Sequence, residues 1–157
     1  MTPLHTAINH MQWEIVDLLL KHGADVDGRG FWRQTPLHVA CRTHNLALAQ
    51  TLIDKYHADQ TLRDDRGFYP IHSACIVGSH EFFNQMYSAG YFVKDNLSLT
   101  DYEGNTPLHI AAQNDKSSLI LDMLQKGAST EMRNNRQQTP YDMAKPIAKL
   151  TLEQVKS

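Results

Sequence analysis

Nine histidines, two cysteines and several paired acids are the side chains through which this 157-residue chain could do chemistry. Four of the histidines, His5, His38, His72 and His109, each stand third after a Thr or Tyr, in near-identical phrases. The other five, His10, His22, His44, His57 and His80, show no paired i, i+4 arrangement with an acid that would make a zinc site. Cys41 and Cys75 lie 34 residues apart in matching surroundings. Two cysteines are too few for a four-Cys metal site or a disulfide-dense scaffold. Gly28-Arg29-Gly30 is too short for a phosphate loop, follows no strand and opens no phosphate-binding helix. Asp25 with Asp27, and Asp64 with Asp65, read as turn and cap acids. No Ser-His-Asp or Cys-His-Asn order stands out. The expectation is a protein with no catalytic residue, no metal, no cofactor and no small-molecule substrate.

The elements that carry these residues are repeated. Thr2-Pro3-Leu4-His5 returns as Thr35-Pro36-Leu37-His38, Tyr69-Pro70-Ile71-His72, Thr106-Pro107-Leu108-His109 and Thr139-Pro140-Tyr141-Asp142, at spacings of 33, 34, 37 and 33. Ala7, Ala40, Ala74, Ala111 and Ala144 follow in register. Thr offers an N-cap oxygen, Pro suits the first helical position, and Leu with Ala lines one face. The small Ala marks where helices of neighbouring repeats must stack closely. A second amphipathic helix is expected over residues 13–20, 46–53, 82–87 and 119–124. Gly23, Gly90 and Gly127 are placed to stop these helices in a left-handed conformation. Polar, Gly-containing turns such as Asp64-Asp65-Arg66-Gly67-Phe68 lead to the next phrase. Stacked repeats would hold Cys41 and Cys75 roughly 10 Å apart, beyond disulfide reach.

The phrase and its period resemble the ankyrin repeat over essentially the whole chain. The resemblance implies an all-α ankyrin-repeat solenoid of stacked helix-turn-helix units with projecting β-hairpin loops and a concave face. It divides a single domain into repeats at about residues 2–34, 35–68, 69–105 and 106–138, with a partial capping repeat at 139–157. It also implies that the four phrase histidines bridge backbone groups of neighbouring repeats. Departures from the family pattern are local. Gly78 alone keeps the glycine between helices, where Met11, His44 and Asp115 stand in the other repeats. Residues 91–99 form an apolar insertion, and the first hairpin, residues 28–34, lacks the expected Asp and Gly. Pro146 should end the fifth first-helix, leaving residues 149–155 as a short polar closing helix. The C-terminus reads as a cap, and the N-terminus as the edge of a longer array.

Composition limits the function classes. Hydrophobic residues at 41% and charged residues at 20% fit a folded globular chain. A formal charge of -2 provides no field for nucleic acid or anionic lipid. No apolar run approaches the roughly 20 residues needed to span a bilayer. With no signal-peptide pattern and two unpaired cysteines, an intracellular setting is expected: cytoplasmic, with a nuclear or host-delivered location left open.

Partner contacts would fall on hairpin tips and inner helices. The candidates are Phe31, Trp32 and Arg33 on the first tip, Arg66 and Phe68 on the second, and Tyr102 on the third. Arg42, Ile76 and Val77 join them from the inner helices. Trp, Tyr and Arg dominate interface energies. The column Arg29, Arg63, Thr100 and Arg133 has an alternative, structural explanation, since basic residues are ordinary there in the family. Two functions stand: a protein-interaction module for a partner with apolar and acidic anchors, or a structural or targeting segment of a larger ankyrin protein. The latter could be a host-directed effector or a membrane-channel cytoplasmic array.

Overall fold

The computed structural model describes residues 1–156. Ten α-helices run in five consecutive pairs: α1 (Pro3–Asn9) with α2 (Trp13–Lys21), α3 (Pro36–Arg42) with α4 (Leu46–Asp54), and α5 (Pro70–Val77) with α6 (His80–Ser88). α7 (Pro107–Gln113) with α8 (Ser117–Gln125), and α9 (Pro140–Met143) with α10 (Pro146–Lys156), complete them. The first helices stack on one another in sequence, and from α4 onward so do the second helices, giving two rows. No helix among the described residues is long and apolar enough to cross a membrane.

The repeated phrase explains the starts of the first helices. Thr2, Thr35, Thr106 and Thr139 each accept a hydrogen bond from the backbone N–H three residues on. Pro then occupies the first turn, where its missing N–H costs nothing. Leu4, Leu37, Ile71 and Leu108 are buried between the rows, and Ala7, Ala40, Ala74 and Ala111 sit where a larger side chain would hold the helices apart. Leu48, Leu52, Phe82, Phe83, Met86, Leu119, Ile120 and Met123 fill the same core from the second helices.

Between the helices of each of the first four pairs the chain turns through one left-handed residue. Met11, His44, Gly78 and Asp115 take φ of 55°, 57°, 73° and 60°. The geometry is therefore kept where the glycine is not. The turn after the second helix does the same, with Gly23, Gly90 and Gly127 left-handed and His57 (φ 56°) in their place in the second unit.

Three expectations change in detail. The projecting loops follow a hairpin path, but no strand forms among the described residues. Each loop closes on one backbone bond across its base, as from Asp64 N to Phe68 O (3.0 Å) and from Asp101 N to Asn105 O (3.0 Å), with a turn bond inside it, as from Gly67 N to Asp64 O (2.9 Å). Successive tips are joined by one more, from Asp65 N to Trp32 O and from Tyr102 N to Arg66 O. One bond per rung is too few for a ladder. The apolar insertion is core: Phe92 and Leu97 are buried, the Phe92 ring lies 5.9 Å from that of Phe83, and Lys94–Ser98 forms a 3₁₀ turn. The closing helix is longer than expected and not simply polar. It starts at Pro146 and buries Ala148 and Leu152, while Ile147, Leu150 and Val155 stay exposed. Proline at the start of α10 opens a helix because its ring presets φ there.

Candidate protein-binding groove

The histidine column is structural. Each Nε2 reaches a backbone carbonyl at the head of the next unit: His5 to Gln34 (2.8 Å), His38 to Phe68 (2.7 Å), His72 to Asn105 (3.0 Å) and His109 to Gln138 (2.9 Å). Each Nδ1 faces its own helix start; in His38, His72 and His109 it accepts the N–H of Thr35, Tyr69 and Thr106. The neutral Nε2–H tautomer satisfies both ends. Burial lowers the pKa of all four rings, that of His72 to about 4. Among the described residues no three His, Cys, Asp or Glu side chains converge to hold a metal.

The arginine column is committed too. Arg29 donates to the carbonyls of Arg33 (2.9 Å) and Arg63 (2.7 Å). Arg63 donates to Gly67 (3.1 Å) and Thr100 (2.8 Å), and Arg133 to Gln137 (2.8 Å). These guanidiniums brace the tips from within the array.

What is left open is a groove of about 500 Å³ beside the first two tips. Phe31, Trp32, Arg42, Arg66 and Ile76 line it, together with Met1, Asn9 and Val39. Trp32 is 71% exposed at its rim and Phe31 nearly as much. The first tip is a 3₁₀ turn, Phe31–Arg33, in which Trp32 and Arg33 both hold positive φ, 58° and 56°. Consecutive left-handed non-glycine residues cost on the order of 1–2 kcal/mol each. The second and third tips avoid this cost by placing Gly67 and Gly104 at the left-handed position. This turn carries two aromatic rings that stand in solvent.

Arg66 is prepared from below. Its guanidinium carbon lies 4.1 Å above the centre of the Phe68 ring, and its Nη2 lies 3.8 Å from Asp64 Oδ2. Asp64 is buried, and its Oδ1 accepts from the N–H groups of Arg66 and Phe68. No carboxylate lines the groove, whose charged side chains are Arg42 and Arg66.

Other sequence candidates fall elsewhere. Phe68 is only 5% exposed, stacked between Arg66 and His72, so it supports the groove without facing it. Arg33 points along the tips, 3.8 Å from Asp65. Tyr102 is exposed but lies over Arg63 (4.5 Å) outside the groove, and Val77 is exposed beyond its lining. Asn9 and Val39 are lining residues that sequence reading did not select. Asn9 shares a repeat position with Arg42 and Ile76, a signal present in the register. A second, apolar groove of about 300 Å³ runs between α2 and α4, lined by Trp13, Val16, Leu20, Ala47 and Leu48.

Residues 1–64 and 46–134 match the family described as ankyrin repeats in three copies. The chain belongs to the ankyrin-repeat family. Its relatives include human SH3 and multiple ankyrin repeat domains protein 2, 28% identical over 144 residues, which are 92% of this chain and 8% of that protein. Human transient receptor potential cation channel subfamily A member 1 is 32% identical over 83% of this chain and 12% of its own length. Human palmitoyltransferase ZDHHC13 is 32% identical over 91% of this chain and 22% of its own length. The chain thus spans less than a quarter of each of these relatives. Ankyrin repeats are in general non-catalytic modules that mediate contacts between proteins.

Proposed function

We propose that this chain is an intracellular protein-interaction module, one domain of four repeats and a partial fifth, that holds a partner segment in the groove of the first two tips. The observation that carries the reading is Trp32: a large aromatic exposed on a left-handed backbone, beside a groove whose charged side chains are two arginines. An exposed aromatic gains nothing in the free protein. Covering a Trp removes about 150–250 Å² from water. At about 25 cal/mol per Å² that is on the order of 4–6 kcal/mol before the costs of association. Arg42 and Arg66 offer forked donors to a carboxylate. The fitting segment is extended and carries an apolar side chain close to an Asp or Glu. Phe31, Trp32, Arg42, Arg66 and Ile76 are the proposed contacts, with Arg33, Phe68, Val77 and Tyr102 as their surroundings.

Selection of a random peptide display library on the immobilised protein tests this. The selected peptides should share an apolar residue near an acid. Titration of a selected peptide should show a loss of about 2 kcal/mol or more for Trp32→Ala. Arg66→Glu should weaken binding as well, most at low salt. A control at Glu81, exposed on α6, should bind as the wild type does. Equal affinity of wild type, Trp32→Ala and Arg66→Glu would remove the groove assignment. A second reading, in which the array is the binding or targeting segment of a larger protein, is supported by the small share of each relative that it matches.

A further inference from the structure

One buried polar side chain at the base of the tips recurs in register as Asp64, Asp101 and Asn134. Its Oδ1 acts alike in each. It accepts the N–H groups two and four residues on: those of Arg66 and Phe68, of Glu103 and Asn105, and of Arg136 and Gln138. Asn134 shows that this turn needs no charge. At the third tip the second oxygen is used as well, since Asp101 Oδ2 accepts from Asn105 Nδ2 (3.3 Å). At the second tip Phe68 stands in the place of Asn105, and its side chain has no donor to give. Asp64 Oδ2 is left buried without a hydrogen bond, with Arg66 Nη2 at 3.8 Å. Burying a charged oxygen in this state costs stability. The turn therefore does not explain the charge of Asp64.

What that charge reaches is the groove. Arg66 lines it, and Asp64 lies behind Arg66, outside the lining. No other acid among the described residues pairs with Arg42 or Arg66. Asp65 is engaged with Arg33, and Glu103, at the position of Arg66 on the third tip, lies outside the lining. His5 also lines the groove, but burial lowers its pKa, so its ring adds no charge at neutral pH. Two arginines against one buried acid leave the site a single positive charge. Resting on the groove reading above, we propose that Asp64 sets which anion the groove accepts: the singly charged carboxylate of an Asp or Glu on the partner, in preference to the doubly charged phosphate of a phosphorylated serine in the same place. With the second charge of a phosphate, the bound site would carry a net negative charge with no counter-ion under the partner segment.

The test takes one peptide selected on the groove and makes it in three forms, with glutamate, glutamine or phosphoserine at the acidic position. Each is titrated calorimetrically at pH 7.5 and low salt. The wild type should hold the glutamate form most tightly. Asp64→Asn keeps an oxygen for the turn, as Asn134 does, and removes the charge. One unit charge at about 8 Å, with an effective dielectric of about 20–40, changes affinity on the order of tenfold. A phosphoserine carries nearly twice the charge of a glutamate. Asp64→Asn should then tighten the glutamate form about tenfold and the phosphoserine form about a hundredfold, leaving the glutamine form unchanged. Asp64→Ser, whose hydroxyl also accepts turn N–H groups, should move the ratio in the same direction. Circular dichroism verifies that both variants keep the helical fold. A wild type that favours phosphoserine would overturn the proposal. So would one ratio shared by the wild type and both variants, since a merely structural Asp64 would change all three affinities alike. If Arg66→Glu still weakens the glutamate form in that case, the groove reading stands and only the role of Asp64 falls. If no form responds to Arg66→Glu, the groove reading falls and takes this proposal with it.

Discussion

Lowering the pH from 8 to 5 should destabilise this protein through its histidine column before most of its carboxylates are protonated. His72 is the sharpest case. Its ring is buried, its Nδ1 accepts the N–H of Tyr69 (3.2 Å), and its Nε2–H donates to Asn105 O (3.0 Å). Burial lowers the pKa to about 4, against smaller upward pulls from the Asn105 carbonyl and from Asp101. Protonating Nδ1 would also turn it from acceptor to donor against the Tyr69 N–H. With an ordinary pKa near 6.5, the unfolded chain binds the proton that the folded chain refuses, so stability rises with pH in this range. The contribution is complete above about pH 7 and is lost as pH falls from 6.5 toward 4. At pH 5 the loss from His72 alone works out at about 2 kcal/mol. His5, His38 and His109 shift in the same direction and add to it. Urea unfolding at pH 5, 6, 7 and 8 measures the effect, and an NMR titration of the ring C–H reads His72 directly. In the His72→Gln variant overall stability should fall, but its dependence on pH should flatten. A His72 ring titrating near 6.5, or an equal pH slope in wild type and variant, would refute the reasoning.

Leu108 is fully buried between the rows, so Leu108→Ala should cost about 2–5 kcal/mol in a denaturant titration. An unchanged midpoint would deny that stacking holds the array. Gly67 sits at φ 80°, and a Cβ there would come within 2.5 Å of the Tyr102 backbone nitrogen. Gly67→Ala should therefore destabilise by more than about 1 kcal/mol, seen as a lower melting temperature, and a neutral result would contradict the tip geometry. Burial raises both thiols, that of Cys75 to about 12, and Cys41 and Cys75 are both free. Neither should react with iodoacetamide at pH 8 until the protein is unfolded, and rapid labelling of the native chain, read by mass, would contradict their burial.

The sequence by itself determined the period, the helix starts and the close stacking. Those depend on local chemistry: a Thr oxygen capping its own helix, a Pro whose φ is preset, an Ala too small to hold helices apart. The left-handed turn at Met11, His44 and Asp115 was legible as a place but not as a conformation, because its cost is met by packing on both sides. Only the tertiary structure decided which aromatic residues face a partner. Phe31, Trp32 and Phe68 look alike in the sequence, yet Phe68 lies under Arg66 while Trp32 stands in solvent. Likewise Arg29, Arg63 and Arg66 are one residue type near one set of turns. Arg29 and Arg63 bridge backbone carbonyls of neighbouring tips, and Arg66 lines the groove. Exposure is a property of what the neighbouring repeat places on top of a residue, and that neighbour is more than thirty residues away in the chain. The same holds along the row of second helices. Ile15 and Leu152 occupy one repeat position, and only the presence or absence of a helix beside them separates an exposed side chain from a buried one.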